Sequence, residues 1–212
     1  MVWLIIIAAL ALAIGPIFYL LPNAQDRFLA GLRQHARQLG FSMQLYSLDK
    51  LDPTAEERVM ASGRQLNPVV ECMCYQWMLR EPLNAPPDLL LRRLPDAATV
   101  SVQEVFSGWG VPKLGERHIA DKTALEQIGH NQNLRNTLFE CVQNLPDAVL
   151  ALGLDARSVS IYWREAAAIP RAADEKERLN DGKSLLEELR NRLQTIALTL
   201  VEAYGRNSDN PG

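Results

Sequence analysis

The first twenty-one residues constrain this chain most. From Val2 to Leu21 no side chain is charged, and twelve of these twenty residues are Val, Ile, Leu or Phe. Wound as a helix they span about 30 Å, the hydrocarbon thickness of a bilayer. Each Leu, Ile, Phe or Val near the centre favours insertion by roughly 0.3–0.6 kcal/mol, which outweighs Gly15 and Pro16 within the run. Trp3 and Tyr19 stand near its ends, where amphipathic rings prefer the headgroup level. A core helix apolar on every side would lack protein to cover it. A secretion signal would open with a basic segment, and only the α-amino group precedes this run. Residues 2–21 are therefore read as a transmembrane helix, followed by a soluble domain over 22–205 and a polar, disordered tail over 206–212.

Basic side chains beside a span tend to stay cytoplasmic. Arg27, Arg33 and Arg37 follow the run against a single Asp26, so the C-terminal domain is expected in the cytoplasm. The three cysteines, Cys72, Cys74 and Cys141, are too few and too poorly spaced for a disulfide framework, which suits a reducing compartment.

The soluble part reads as α+β, with a small, mostly antiparallel sheet of three or four strands covered by helices. Asn23 caps a first helix, and Phe28, Leu32, Ala36 and Leu39 form its apolar face. FSMQLYSL alternates as a half-buried strand, and NPVVECMCYQWMLR is the most strand-like segment. DPTAEERVMASG predicts a short helix, and LLLRRL and TVSVQEVF offer short elements within a proline-broken stretch. A helical region follows from near Asp121, with a stripe at Leu134, Leu138, Cys141, Val142 and Leu145. PDAVLALG predicts another short helix, and RSVSIYWRE a strand. From GKSLL to Gly205 a long amphipathic helix carries Leu186, Leu189, Leu193, Ala197, Leu200 and Tyr204. That stripe serves either the domain's own sheet or a homodimer.

The residues that invite a chemical reading are few. Cys72 and Cys74, two apart on a strand, share one face and would suit a soft metal, but the spacing of a zinc site and its second pair are missing. Cys141 lies in an apolar helical stripe, which favours packing over nucleophilic work. No nucleophile elbow, phosphate loop or dinucleotide glycine pattern occurs. The formal net charge is −3 with signs interspersed, so no basic stripe invites nucleic acid. Tyr162 and Arg164 in YWRE, and Trp109 between two glycines, are the residue types that anchor protein contacts.

The apolar run, LRQHARQLGF after it, and IYWRE before a long final helix together resemble a family of small single-pass inner-membrane proteins of gamma-proteobacteria. Some of its members carry the label of an accessory subunit of the preprotein translocase. This chain is larger than that subunit and lacks its glycine-rich strand motif, so the label is not carried over. The resemblance implies a bacterial inner-membrane protein and transfers no catalytic residue. The expected function is a membrane-anchored, non-catalytic scaffold or assembly factor without a cofactor, contacting the lipid bilayer and a protein partner. The alternative is a tethered enzyme or metal-binding protein using Cys141 or Cys72/Cys74.

Overall fold

In the computed structural model the described residues are 3, 23–59, 63–64, 66–96, 98, 100–113, 117–169 and 174–205. Of the apolar run only Trp3 is included, helical and with an exposed side chain. The remainder of the proposed span, with Pro16 and Tyr19, and the tail after Gly205 lie outside the described residues. Among the described residues no helix is long and apolar enough to cross a membrane.

In chain order the elements are α1 (Ala24–Gln38), β1 (Ser42–Asp49), β2 (Val69–Met78), β3 (Leu89–Arg93), β4 (Val102–Phe106), β5 (Trp109–Pro112), α2 (Arg117–His130), α3 (Gln132–Gln143), β6 (Val149–Leu154), β7 (Ser158–Trp163), α4 (Glu165–Ala168) and α5 (Glu175–Tyr204). The strands form one antiparallel sheet in the order β1-β2-β7-β6-β3-β5-β4. Alternation along β2 and β7 turns Tyr75, Val159, Ile161 and Trp163 into the main core, where they meet Phe28 and Leu32 of α1, Leu138 of α3 and Leu193 of α5. The stripe Leu186, Leu189, Leu193, Ala197 and Leu200 is buried inside this domain, so its packing is accounted for without a second copy.

Helix α1 starts as its sequence dictates. Asn23 accepts from the Asp26 backbone at 2.8 Å, and Asp26 accepts in return from the Asn23 backbone at 3.3 Å, a reciprocal cap. Its apolar face then lies against α5, and the two approach so closely that a Cβ on Gly182 would come within 2.8 Å of Leu32 and Ile169 side chains. Arg33 closes the other side by an ion pair with Glu165, which is only 4% exposed and also accepts from the Tyr75 hydroxyl. Burial, reinforced by Glu165, holds the Tyr75 hydroxyl well above its ordinary pKa, while Glu165 raises that of Arg33. The helix that follows the apolar run is thus fixed to the domain.

Three expectations about elements are corrected. PDAVLALG gives strand β6, because a run buried on both faces looks alike whether strand or helix. The described part of DPTAEERVMASG forms turns ending in a bridge at Val59. Thr54 and Glu57 exchange backbone–side-chain bonds at 2.9 and 3.3 Å, a cap pattern with no buried apolar face to carry a helix onward. Among the described residues the sheet has seven strands instead of three or four, since LLLRRL, WGVP and VLALGL each contribute one.

Candidate functional site

Helices pack on one face of the sheet; the opposite face carries the candidate site. The register places Gln44, Tyr46 and Leu48 of β1, Cys72 and Cys74 of β2, Ser160 and Tyr162 of β7, Ala151 and Gly153 of β6, and Leu90 and Arg92 of β3 on that face. The face is not flat. Nη2 of Arg92 on β3 donates to the Asp49 carbonyl at the end of β1 at 2.9 Å, although three strands lie between β3 and β1. A flat sheet would hold them about 19 Å apart, out of reach of any side chain. The sheet therefore curls into a trough, and Leu48 of β1 packs in one small apolar cluster with Ala151 of β6.

The trough encloses a cavity of about 220 Å³, lined by Tyr46, Arg92, Asp121, Ser160 and Tyr162 among others. The Tyr46 and Tyr162 rings meet edge to face at 4.9 Å. Gly153 makes room for this, since a Cβ there would stand 3.1 Å from the Tyr162 ring. Where β5 stops pairing with β3, the Leu90 N–H donates instead to Asp121 of α2 at 2.9 Å. Asp155 accepts from the Arg157 and Ser158 backbones at 2.7 and 2.8 Å and from the Ser158 hydroxyl.

The charged groups lining the cavity are Arg92 and the carboxylates Asp49, Asp88, Asp121 and Asp155. Arg92 is 6% exposed, and burial lowers its pKa against the pull of nearby Asp49. Burial pushes the Cys72 thiol up to about 11, against opposing fields from Arg92 and Arg164. Cys74 is raised too, chiefly by burial, and Cys141 is pushed up to about 11 by burial in α3. All three thiols are buried and free of disulfides, so at neutral pH they are protonated and poor nucleophiles. Among the described residues no group of three or more His, Cys, Asp or Glu side chains could hold a metal ion.

No family model, curated protein or solved structure matches this chain.

The structure gathers Tyr162, Cys72 and Cys74 on the open face, and Arg164, exposed, follows the end of β7. Cys141 stands apart in the helical layer. Trp109 is corrected as a candidate contact: it opens β5, is 2% exposed, and carries the Arg93 guanidinium 4.8 Å over its ring. A glycine-flanked aromatic reads as a loop tip in sequence, but here the glycines let a short strand turn it into the core. Arg27 and Arg33 are ion-paired, with Glu175 and Glu165, which leaves the count of charges along the chain unchanged. Glu165, at the start of α4, is buried. Sequence reasoning missed Arg92 and Tyr46. The signal for Arg92 was present in LLLRRL, where a charged pair interrupts an apolar run and must face opposite sides of a strand.

A second surface, a groove of about 540 Å³ between the end of β2 and the last turns of α5, exposes Met78, Leu198 and Val201.

Proposed function

We propose that this chain is a single-pass protein of the bacterial inner membrane, anchored by residues 2–21, whose cytoplasmic α+β domain binds a protein partner through the open face of its sheet. The observation that carries the reading is the trough itself: Tyr46 and Tyr162, residue types favoured at interfaces, line a polar cavity instead of filling a core, and the exposed Arg164 follows on the strand that carries Tyr162. The protonated, buried thiols weigh against the alternative of cysteine catalysis. The length and hydropathy of the run support the anchor, and Arg27, Arg33 and Arg37 support the cytoplasmic side.

Co-purification of the full chain from membranes in mild detergent tests this. A stoichiometric partner is expected with the native chain and with a Leu198→Ala variant, and its loss is expected on Tyr162→Ala with Arg164→Glu. Equal recovery from the double variant, or extraction of the chain by alkaline carbonate without detergent, contradicts the reading.

A further inference from the structure

The sheet ends at each margin on a strand with one neighbour, β4 at one side and β1 at the other. An edge strand presents a row of unpaired N–H and C=O groups, and native sheets guard such edges by shortness, bulges or charge. β4 is guarded in each of these ways. It has five residues, its register with β5 breaks between Glu104 and Phe106, and Glu104 stands at its middle. β1 has none of these devices. It runs for eight residues in unbroken register with β2, and from Ser42 to Leu48 it carries no charge and no proline. At its centre Leu45 is 69% exposed, an apolar side chain that the helical layer leaves uncovered.

The backbone shows where this edge is open. Lys50, one step beyond the Asp49–Val69 pair, donates to the Pro68 carbonyl at 2.8 Å. Successive residues of an antiparallel strand turn their polar groups to opposite sides. Those of Ser42, Gln44, Tyr46 and Leu48 therefore point to β2, and those of Met43, Leu45, Ser47 and Asp49 point outward. The bond from Arg92 to the Asp49 carbonyl, which arrives from outside the β1–β2 pair, agrees with that alternation. Both ends of the outward row are closed. The Phe41 N–H is taken by the Ala36 carbonyl at 3.0 Å, and the Asp49 carbonyl by Arg92 at 2.9 Å. Between them the outward groups of Met43, Leu45 and Ser47 bond no other described residue. The open window is thus centred on the exposed leucine.

We propose that two copies of this chain pair through this window, β1 against β1, antiparallel about a two-fold axis at Leu45. A two-fold contact needs a self-complementary surface. About Leu45, Met43 stands opposite Ser47 of the second copy, Leu45 opposite its own counterpart, and Ser47 opposite Met43. Each facing pair exchanges both of its hydrogen bonds, so the whole window is satisfied. The two Leu45 side chains meet on one face with Cβ atoms about 5 Å apart and leave water together. Asp49 falls opposite Phe41, so no like charges face each other. Moving the axis to Gln44 or Tyr46 would call on the occupied Phe41 N–H or Asp49 carbonyl and would separate the leucines. This inference goes beyond the open-face reading and does not rest on it.

Sedimentation equilibrium of the full chain in density-matched detergent micelles tests it. The native chain is expected to show a concentration-dependent equilibrium between monomer and dimer. Leu45→Lys and Leu45→Glu, both at an exposed position, are each expected to weaken dimerisation at least about tenfold, because like charges then stand directly opposite. Mixed in equal amounts, the two variants are expected to recover a heterodimer, since position 45 faces itself in this register alone; that recovery also shows that both variants are folded. Leu198→Glu, in the exposed α5 groove, is expected to leave the dimer unchanged. A native chain that stays monomeric, a dimer that survives Leu45→Lys, as one held by residues 2–21 would, or a mixture that fails to associate would each overturn the proposal. So would a dimer lost in Leu198→Glu, or a photoreactive residue at Leu45 that captures a different protein in place of a second copy.

Discussion

Two deeply buried charges, one on each face of the sheet, are held differently. On the helix-covered face, Glu165 receives Arg33 and the Tyr75 hydroxyl, so a carboxylate that is 4% exposed has its partners in place. On the open face, Arg92 is nearly as deeply buried and has one neutral acceptor. The paired carboxylate ties α1 to the strands through Arg33 and Tyr75. Arg92 ties β3 to β1 and shapes the trough.

The largest effect should come from breaking the complete pair. Glu165→Ala leaves the Arg33 guanidinium and the buried Tyr75 hydroxyl without a partner. Loss of one partner from a buried pair costs about 3–5 kcal/mol, and the lower end is expected because Arg33 is partly exposed to solvent. Urea denaturation of the full chain in detergent reads it; a loss below about 1 kcal/mol would show the cluster to be structurally minor.

Next comes Gly182→Ala, at the α1–α5 crossing. Overpacking costs about 1–3 kcal/mol, while alanine returns up to about 1 kcal/mol of helix propensity. With contacts of 2.8 Å to two branched side chains, overpacking wins, and a net loss of about 1–2 kcal/mol is expected in the same denaturation assay. A stabilised variant would mean that the crossing yields easily.

Alkaline pH gives a smaller effect. Burial raises the Cys72 and Cys141 thiols to about 11, so the folded chain keeps protons that the unfolded chain releases from about pH 9 upward. The stability linked to these thiols is intact below about pH 9 and lost as pH rises toward 11. Cys141→Ala should flatten part of that decline relative to the native chain; identical pH profiles would contradict the buried, protonated thiol. Smallest of all, Arg27→Ala and Arg164→Ala should leave the denaturation midpoint unchanged, because both side chains are exposed. Only Arg164→Ala should weaken partner recovery.

Much of the helical layer was legible in sequence, because an amphipathic helix displays its period and its cap locally. Asn23 with Asp26, and the stripe from Leu186 to Leu200, read directly. The sheet was harder. VLALGL is buried on both faces and carries no alternation, and WGVP is too short to show a period. The trough was legible only in part. Tyr162 and Arg164 stood out as residue types, and Cys72 and Cys74 as a spacing. Their meeting with Arg92 depends on a sheet order that joins β3 to β6 and β7 to β2, and on a curl that brings β1 back over β3. Long-range pairing of that kind leaves no mark in a local window. Glu165 escaped for the same reason, since its partners lie 132 and 90 residues away along the chain.

The account stands or falls on which surface meets the partner, and photocrosslinking in intact membranes decides it. A photoreactive amino acid placed at Arg164 on the open face is expected to capture one discrete partner, and the same probe at Leu198 in the α5 groove none. Capture from Leu198 but not from Arg164 would contradict the central claim and move the binding surface to the other side of the domain.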